Sequence, residues 1–208
     1  MHIRPIIKPV ADLALVSYDD TIGTALKVIE DSGYLSLPVV DGEKFVGVLS
    51  RKYIYEMYFN ENGGDKEAFM KRRVAEFMKT KIEPIKENIL IEDAAALFLE
   101  KQLKFIPICD EHDRFEGIVT PSAILERYRK IYGSKNPRLV IYTFDFKGKL
   151  AKILEVIAKH HGSVKNIVQM DTEVMGLQEI SLRVDCKDID KVVKGLRGAG
   201  FEVREYAN

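Results

Sequence analysis

Few side chains in this 208-residue sequence stand at spacings that would do chemistry. His160 and His161 are adjacent at the end of an apolar-periodic segment. Successive positions on a helix face different ways, so one metal ion would not receive both, and a tetrahedral site needs further ligands. A cation there suits the C-terminal end of a helix dipole. Glu92 and Asp93 form an acidic pair of the kind used in proton transfer. They stand at a helix start, however, where capping and the dipole account for carboxylates more simply. His112 lies between Glu111 and Asp113 in a polar turn. Cys109 and Cys186 occupy apolar runs without a CxxC spacing, and read as small buried residues. Lys71-Arg72-Arg73 reads as a solvated helix face. Tyr53, Tyr55, Tyr58 and Phe59 read as packing residues. There is no Gly-x-Ser-x-Gly, no Walker loop and no His-Glu-x-x-His. No catalytic set and no metal site converges, so the chain is read as non-enzymatic.

The elements that must hold any site are repeated. Residues 34–50, Tyr-Leu-Ser-Leu-Pro-Val-Val-Asp-Gly-Glu-Lys-Phe-Val-Gly-Val-Leu-Ser, correspond to residues 103–120, Leu-Lys-Phe-Ile-Pro-Ile-Cys-Asp-Glu-His-Asp-Arg-Phe-Glu-Gly-Ile-Val-Thr. Ala25 and Ala94, Pro38 and Pro107, and Asp41 and Asp110 are each 69 residues apart. Gly47 and Gly117 are 70 apart, so the second copy carries one extra turn residue. A fixed period means one supersecondary unit used twice, with a shared face to bury.

Composition limits the partners. Hydrophobic residues make up 46% of the chain, and 32 basic residues balance 32 acidic ones. That balance argues against nucleic acid, which selects a basic excess. No apolar run approaches the ~18 residues of a membrane-spanning helix. The N-terminus, Met-His-Ile-Arg-Pro-Ile-Ile-Lys-Pro, has no apolar core of a signal peptide. A cytoplasmic protein is expected.

Each copy reads strand, helix, strand, strand, helix. In the first, Leu13–Val16 is a strand and Asp19, Asp20 and Thr21 offer caps. Ala25, Leu26, Val28 and Ile29 make a helix face, and Gly33 ends it. Leu37–Val40, the Asp41-Gly42 turn and Phe45–Leu49 form a hairpin. In the second, Ile82–Ile85 is the strand, Ala94–Leu99 the helix, and Ile106–Cys109 with Glu116–Val119 the hairpin. Phe69–Met78 reads as one amphipathic helix leading into it. Asn60–Glu67 is a polar connector, and Tyr132–Pro137 marks a domain boundary. Beyond it the order is βαββαβ, the split-βαβ plan. Helix faces there are Leu150, Ile153, Leu154, Ile157 and Ile189, Val192, Val193, Leu196. The bounds are thus 1–60, 61–132 with its lead-in helix, and 138–208, in a mixed α/β (α+β) fold.

The two copies resemble CBS domains. The resemblance rests on Leu37-Pro38-Val39-Val40-Asp41 with Gly47-Val48-Leu49-Ser50, and on Ile106-Pro107-Ile108-Cys109-Asp110 with Gly117-Ile118-Val119-Thr120. Residues 138–206 resemble an ACT domain, with Gly148 before the first helix. The CBS-CBS-ACT order is similar to that of the acetoin-utilisation regulatory protein family.

The resemblance implies a regulatory protein that binds an adenosine-containing ligand, such as AMP, ATP or S-adenosylmethionine, in clefts between the repeats. Ser50 and Thr120 would face phosphate, where a strand ends and a helix begins. Tyr34 and Ser36 would line the cleft with Thr120; Leu103 and Phe105 would line it with Ser50. Arg51 would add a cation. The family places an Asp on the ribose three residues after the Ser or Thr; here Tyr53 and Ala123 stand in those places. The ACT resemblance implies a homodimer and an amino-acid ligand, held by the turn Asp145-Phe146-Lys147-Gly148-Lys149-Leu150 and by Asn166. Two alternatives remain: a ligand-free assembly module, and a nucleic-acid binder using an aromatic sheet face of Val140, Tyr142 and Phe144.

Overall fold

Thr21 sets the start of the first helix, α1 (Ile22–Ser32): its hydroxyl accepts from Thr24 N–H at 3.2 Å. Gly33, in the left-handed region at φ 70°, ends it as glycine can without a Cβ penalty. Ile22, Ala25, Leu26 and Ile29 are the buried face. These residues belong to a computed structural model that describes residues 1–61, 63–133, 135–144 and 147–207. The chain divides into two units, Met1–Leu125 and Glu126–Asn208.

The first unit contains both repeats except the C-terminal part of their last helix, which falls in the second unit. The first repeat's sheet is β2 (Val16–Ser17), β3 (Ser36–Asp41) and β4 (Lys44–Ser50), followed by α2 (Arg51–Asn60). The second repeat has β5 (Ile85–Lys86), α4 (Ile91–Lys101), β6 (Ile106–Cys109), β7 (Phe115–Val119) and α5 (Pro121–Tyr132). In each, the first strand pairs parallel and the hairpin antiparallel. The opening strands are shorter than expected: a 3-10 turn, Val10–Asp12, precedes β2, and only Ile85 of the predicted Ile82–Ile85 is in β5.

The sheets are completed crosswise. The N-terminal strand β1 (Lys8–Pro9) pairs antiparallel with β7, Lys8 opposite Ile118 and Pro9 opposite Gly117. In the mirrored place, Val48 of β4 pairs with Lys79. A Cβ on Gly117 would lie 2.1 Å from the Lys8 carbonyl oxygen, and one on Gly47 would lie 2.7 Å from that of Lys79. Both glycines are therefore required by the approach of a foreign backbone.

Phe69–Met78 is not one helix. It forms α3 (Lys66–Met70) and a separate 3-10 turn, Val74–Glu76. Between them the backbone is drawn off to the start of α1: Ile22 N–H donates to Arg72 O and Val74 N–H to Asp20 O, both at 2.9 Å. Those bonds replace helical ones. Phe69, Val74 and Phe77 still reach the first repeat's core beside Ile22, Leu37, Leu49 and Ile54.

The second unit is βαββαβ: β8 (Arg138–Thr143), α6 (Lys149–Lys159), β9 (Ser163–Asp171), β10 (Gln178–Asp185), α7 (Ile189–Gly198) and β11 (Glu202–Ala207). The strands are antiparallel in the order β11-β8-β10-β9. Leu139, Ile141, Ile180, Leu182 and Val184 pack against Ile153, Val156, Ile157, Val192, Val193 and Leu196. On the expected aromatic face Val140 is buried, the Tyr142 hydroxyl donates to Glu179 Oε2 at 2.8 Å with the Arg204 guanidinium 5.3 Å from its ring centroid, and Phe144 is exposed. Among the described residues no helix is long and apolar enough to cross a membrane.

Candidate ligand cleft between the repeats

Both strand-to-helix junctions open on one cleft in the first unit, with a volume of about 1060 Å³. Ser50 ends β4 in extended backbone and begins α2, but its side chain caps nothing. The next amide, Arg51 N–H, is already taken by Leu35 O at 3.0 Å. Thr120 differs. Its Oγ1 accepts from Ala123 N–H at 3.2 Å, and α5 begins with Pro121, which has no N–H to give. The Ser50 hydroxyl thus caps nothing, whereas the Thr120 oxygen accepts a cap bond and keeps its O–H to donate to a ligand.

Six of the nine residues expected in the cleft line it: Tyr34, Ser36, Ser50, Arg51, Phe105 and Thr120. The expected pairings, Thr120 with Tyr34 and Ser36 and Ser50 with Phe105, fall in this one cavity. Tyr53, Leu103 and Ala123 are not in the lining. Tyr53 packs on the first repeat's core, with the Lys79 ammonium 5.6 Å from its ring centroid.

Sequence reasoning missed three cations, Lys8, Lys52 and Lys104, which line the cleft with Arg51. Lys8 Nζ donates to the Tyr34 hydroxyl at 2.7 Å and lies 5.1 Å from the ring centroid. The Arg51 guanidinium lies 5.9 Å from the Tyr55 ring centroid. Lys52 pairs with Glu56 at 3.4 Å on the exposed side of α2. No carboxylate lines the cleft among the described residues. Leu13, Leu37, Pro38 and Ile118 supply apolar wall. The available signal for Lys104 was its place between Leu103 and Phe105. Lys8 had none, because its position depends on pairing with a strand over a hundred residues away.

The hairpin turn of the second repeat holds charges of its own. Burial opposes ionisation of Asp110, yet hydrogen bonds from Arg114 N–H, the Arg114 guanidinium and His112 N–H outweigh it and hold the carboxyl below the usual range. Burial pushes the Cys109 thiol up, as befits a small core residue.

In the second unit Gly148 is the N-cap of α6 at φ 75°, with Lys147 beside it; Asp145 lies outside the described residues. Asn166 is on β9 and its amide donates to Ile131 O at 3.1 Å. It lines a separate pocket of about 300 Å³ with Tyr132, Arg138 and Arg183, which neither Lys147 nor Gly148 enters. Among the described residues no cluster of three His, Cys, Asp or Glu is suited to a metal ion.

A family model described as "CBS domain" matches residues 4–59 and again 74–130, more than half of the chain. The chain belongs to the CBS domain family. Its two matches make it a tandem CBS pair, as the sequence repeat implies. The pair is 31% identical over 135 residues to inosine-5'-monophosphate dehydrogenase of Methanocaldococcus jannaschii, covering 64% of this chain and 25% of that protein. The chain thus spans about a quarter of that relative's length. Among solved structures it is similar to CBSX2 in complex with AMP, with a TM-score of 0.56 and 23% identity over 64% of this chain and 98% of that one. CBSX2 is a CBS-pair protein of Arabidopsis thaliana. It is also similar to CbpB in complex with c-di-AMP, with a TM-score of 0.56 and 21% identity over 62% of this chain and 85% of that one. These likenesses cover the CBS pair fold.

Proposed function

We propose that this chain is a regulatory ligand-sensing protein whose CBS pair holds an adenine nucleotide or another adenosyl ligand between the repeats. One observation carries the reading. Ser50, Thr120 and four cations meet in a single cleft that has apolar walls and no carboxylate among the described lining residues. Phosphate suits the cationic end and a purine suits the apolar walls. Two proteins of the same fold are complexes with AMP and c-di-AMP, which supports the class of ligand.

The ligand acts by population shift: a molecule touching both repeats favours one arrangement of them. The βαββαβ unit is read as an ACT-like domain that dimerises, binds an amino acid near the turn at Lys147 and Gly148, and passes the change to a partner. The reading is non-enzymatic and places the protein in the cytoplasm. Calorimetry and thermal shift with AMP, ATP and S-adenosylmethionine test it. Heat and a raised melting temperature with at least one are expected; neither with any of them sinks the sensor.

The second reading, a ligand-free assembly module, draws on a groove of about 710 Å³ lined by Leu26, Ile54, Tyr58, Phe69 and the exposed Phe59. A Phe59→Ser variant that changes oligomeric state, in a protein that binds no nucleotide, would favour it.

A further inference from the structure

Resting on the nucleotide reading above, we infer that the cleft selects its ligand by phosphate number and is indifferent to the ribose 2′-hydroxyl: it takes nucleoside triphosphates over diphosphates, and both over monophosphates. The charge distribution leads there. The chain as a whole is neutral, with 32 basic and 32 acidic residues. The cleft nevertheless gathers Lys8, Arg51, Lys52 and Lys104, and no Asp or Glu is among its described lining residues. They come from three separate stretches, β1, the first turn of α2 and the segment before β6, so no local helix periodicity accounts for the cluster. Only Lys52 has an ion-pair partner; Lys8, Arg51 and Lys104 make none among the described residues. One sign of charge in a concave, partly apolar site focuses its potential and favours a multiply charged anion. With Lys52 already paired, three cations remain, and a terminal monophosphate carrying about −1.5 to −2 leaves at least one of them unmatched. A triphosphate matches them. A cavity of about 1060 Å³ also gives a phosphate chain room beyond a nucleoside.

The sugar is the other half of the inference. A carboxylate is the side chain that accepts two hydrogen bonds from a ribose diol. The cleft offers none among its described lining residues. Neutral hydroxyls at Ser36, Ser50 and Ser122 leave at most a weak neutral bond to the 2′-hydroxyl.

The test is calorimetry on the full chain with ATP, ADP, AMP, 2′-deoxy-ATP and inorganic triphosphate, repeated on an Arg51→Met/Lys104→Met variant. ATP is expected to bind at least about tenfold tighter than AMP, with ADP between. Deoxy-ATP should fall within about threefold of ATP. In the variant both affinities should fall, and the ratio of ATP to AMP affinity should shrink severalfold. If the variant does not fold, the wild-type ATP advantage should shrink severalfold between about 50 and 300 mM salt, as screening requires. AMP binding as tightly as ATP, or deoxy-ATP binding more than about tenfold weaker than ATP, overturns the inference and leaves the nucleotide reading intact. Inorganic triphosphate matching ATP would keep phosphate selection and sink the nucleotide reading. No binding by any nucleotide overturns both.

Discussion

In the first repeat Ser50 begins α2 without capping it; in the second, Thr120 caps α5 through Ala123 N–H and is followed by a proline. The hairpins diverge too. The first turns on Gly42 at φ 58°, whereas the second turns on a longer loop that Asp110 organises by accepting from His112 N–H and Arg114 N–H at 2.9 Å each. The scaffold positions coincide, but the first junction leaves its hydroxyl uncommitted and ties up its next amide with Leu35 O, while the second commits its hydroxyl oxygen to the helix cap. Duplication therefore supplies two equivalent junctions without two equivalent binding ends.

The largest expected effect tests what the copies share. Gly117→Ala would drive a Cβ to 2.1 Å from the Lys8 carbonyl, against 2.7 Å from that of Lys79 for Gly47→Ala. We expect losses of about 3 kcal/mol for the first and about 1–2 kcal/mol for the second by urea denaturation. Equal losses would break the ranking. Next come the junctions, with outcomes that differ in stability. Ser50→Ala should cost up to one or two decades of nucleotide affinity, the value of about 1.5–3 kcal/mol for a charge-assisted bond, with little loss of stability. Thr120→Ala should cost about 0.5–2 kcal/mol of stability as well as affinity. Calorimetry beside denaturation on both variants would show whether only the Thr120 variant loses stability. The smallest effect is pH dependence. The Asp110 carboxyl is held below its ordinary value. Its contribution is therefore present above the unfolded carboxylate pKa and lost as pH falls through the folded one. Asp110→Asn should flatten the decline of stability in acid; urea curves of the variant and the wild type along a pH series would decide it.

Much of the fold was legible. The repeat period, the helix faces at Ala25–Ile29 and Ile189–Leu196, and both hairpins follow from local patterning. Phe69–Met78 misled because its apolar spacing is helical while its backbone is bonded to Asp20 and Ile22, across the chain. For the site, residues placed by the junctions themselves, Ser50, Arg51 and Thr120, were legible. Tyr53 was not, because it belongs to the core of its own repeat. Lys8 enters the cleft only through a strand pairing that no local pattern encodes.

The crosswise pairing of Lys8–Pro9 with β7 and of Lys79 with Val48 bears on how the chain is made. During synthesis the first repeat waits for residue 79 to finish its sheet, and the N-terminal segment waits until the second hairpin has emerged. Neither half can be excised at the connector without taking a piece of its sibling, so dividing the gene there would leave both sheets unfinished.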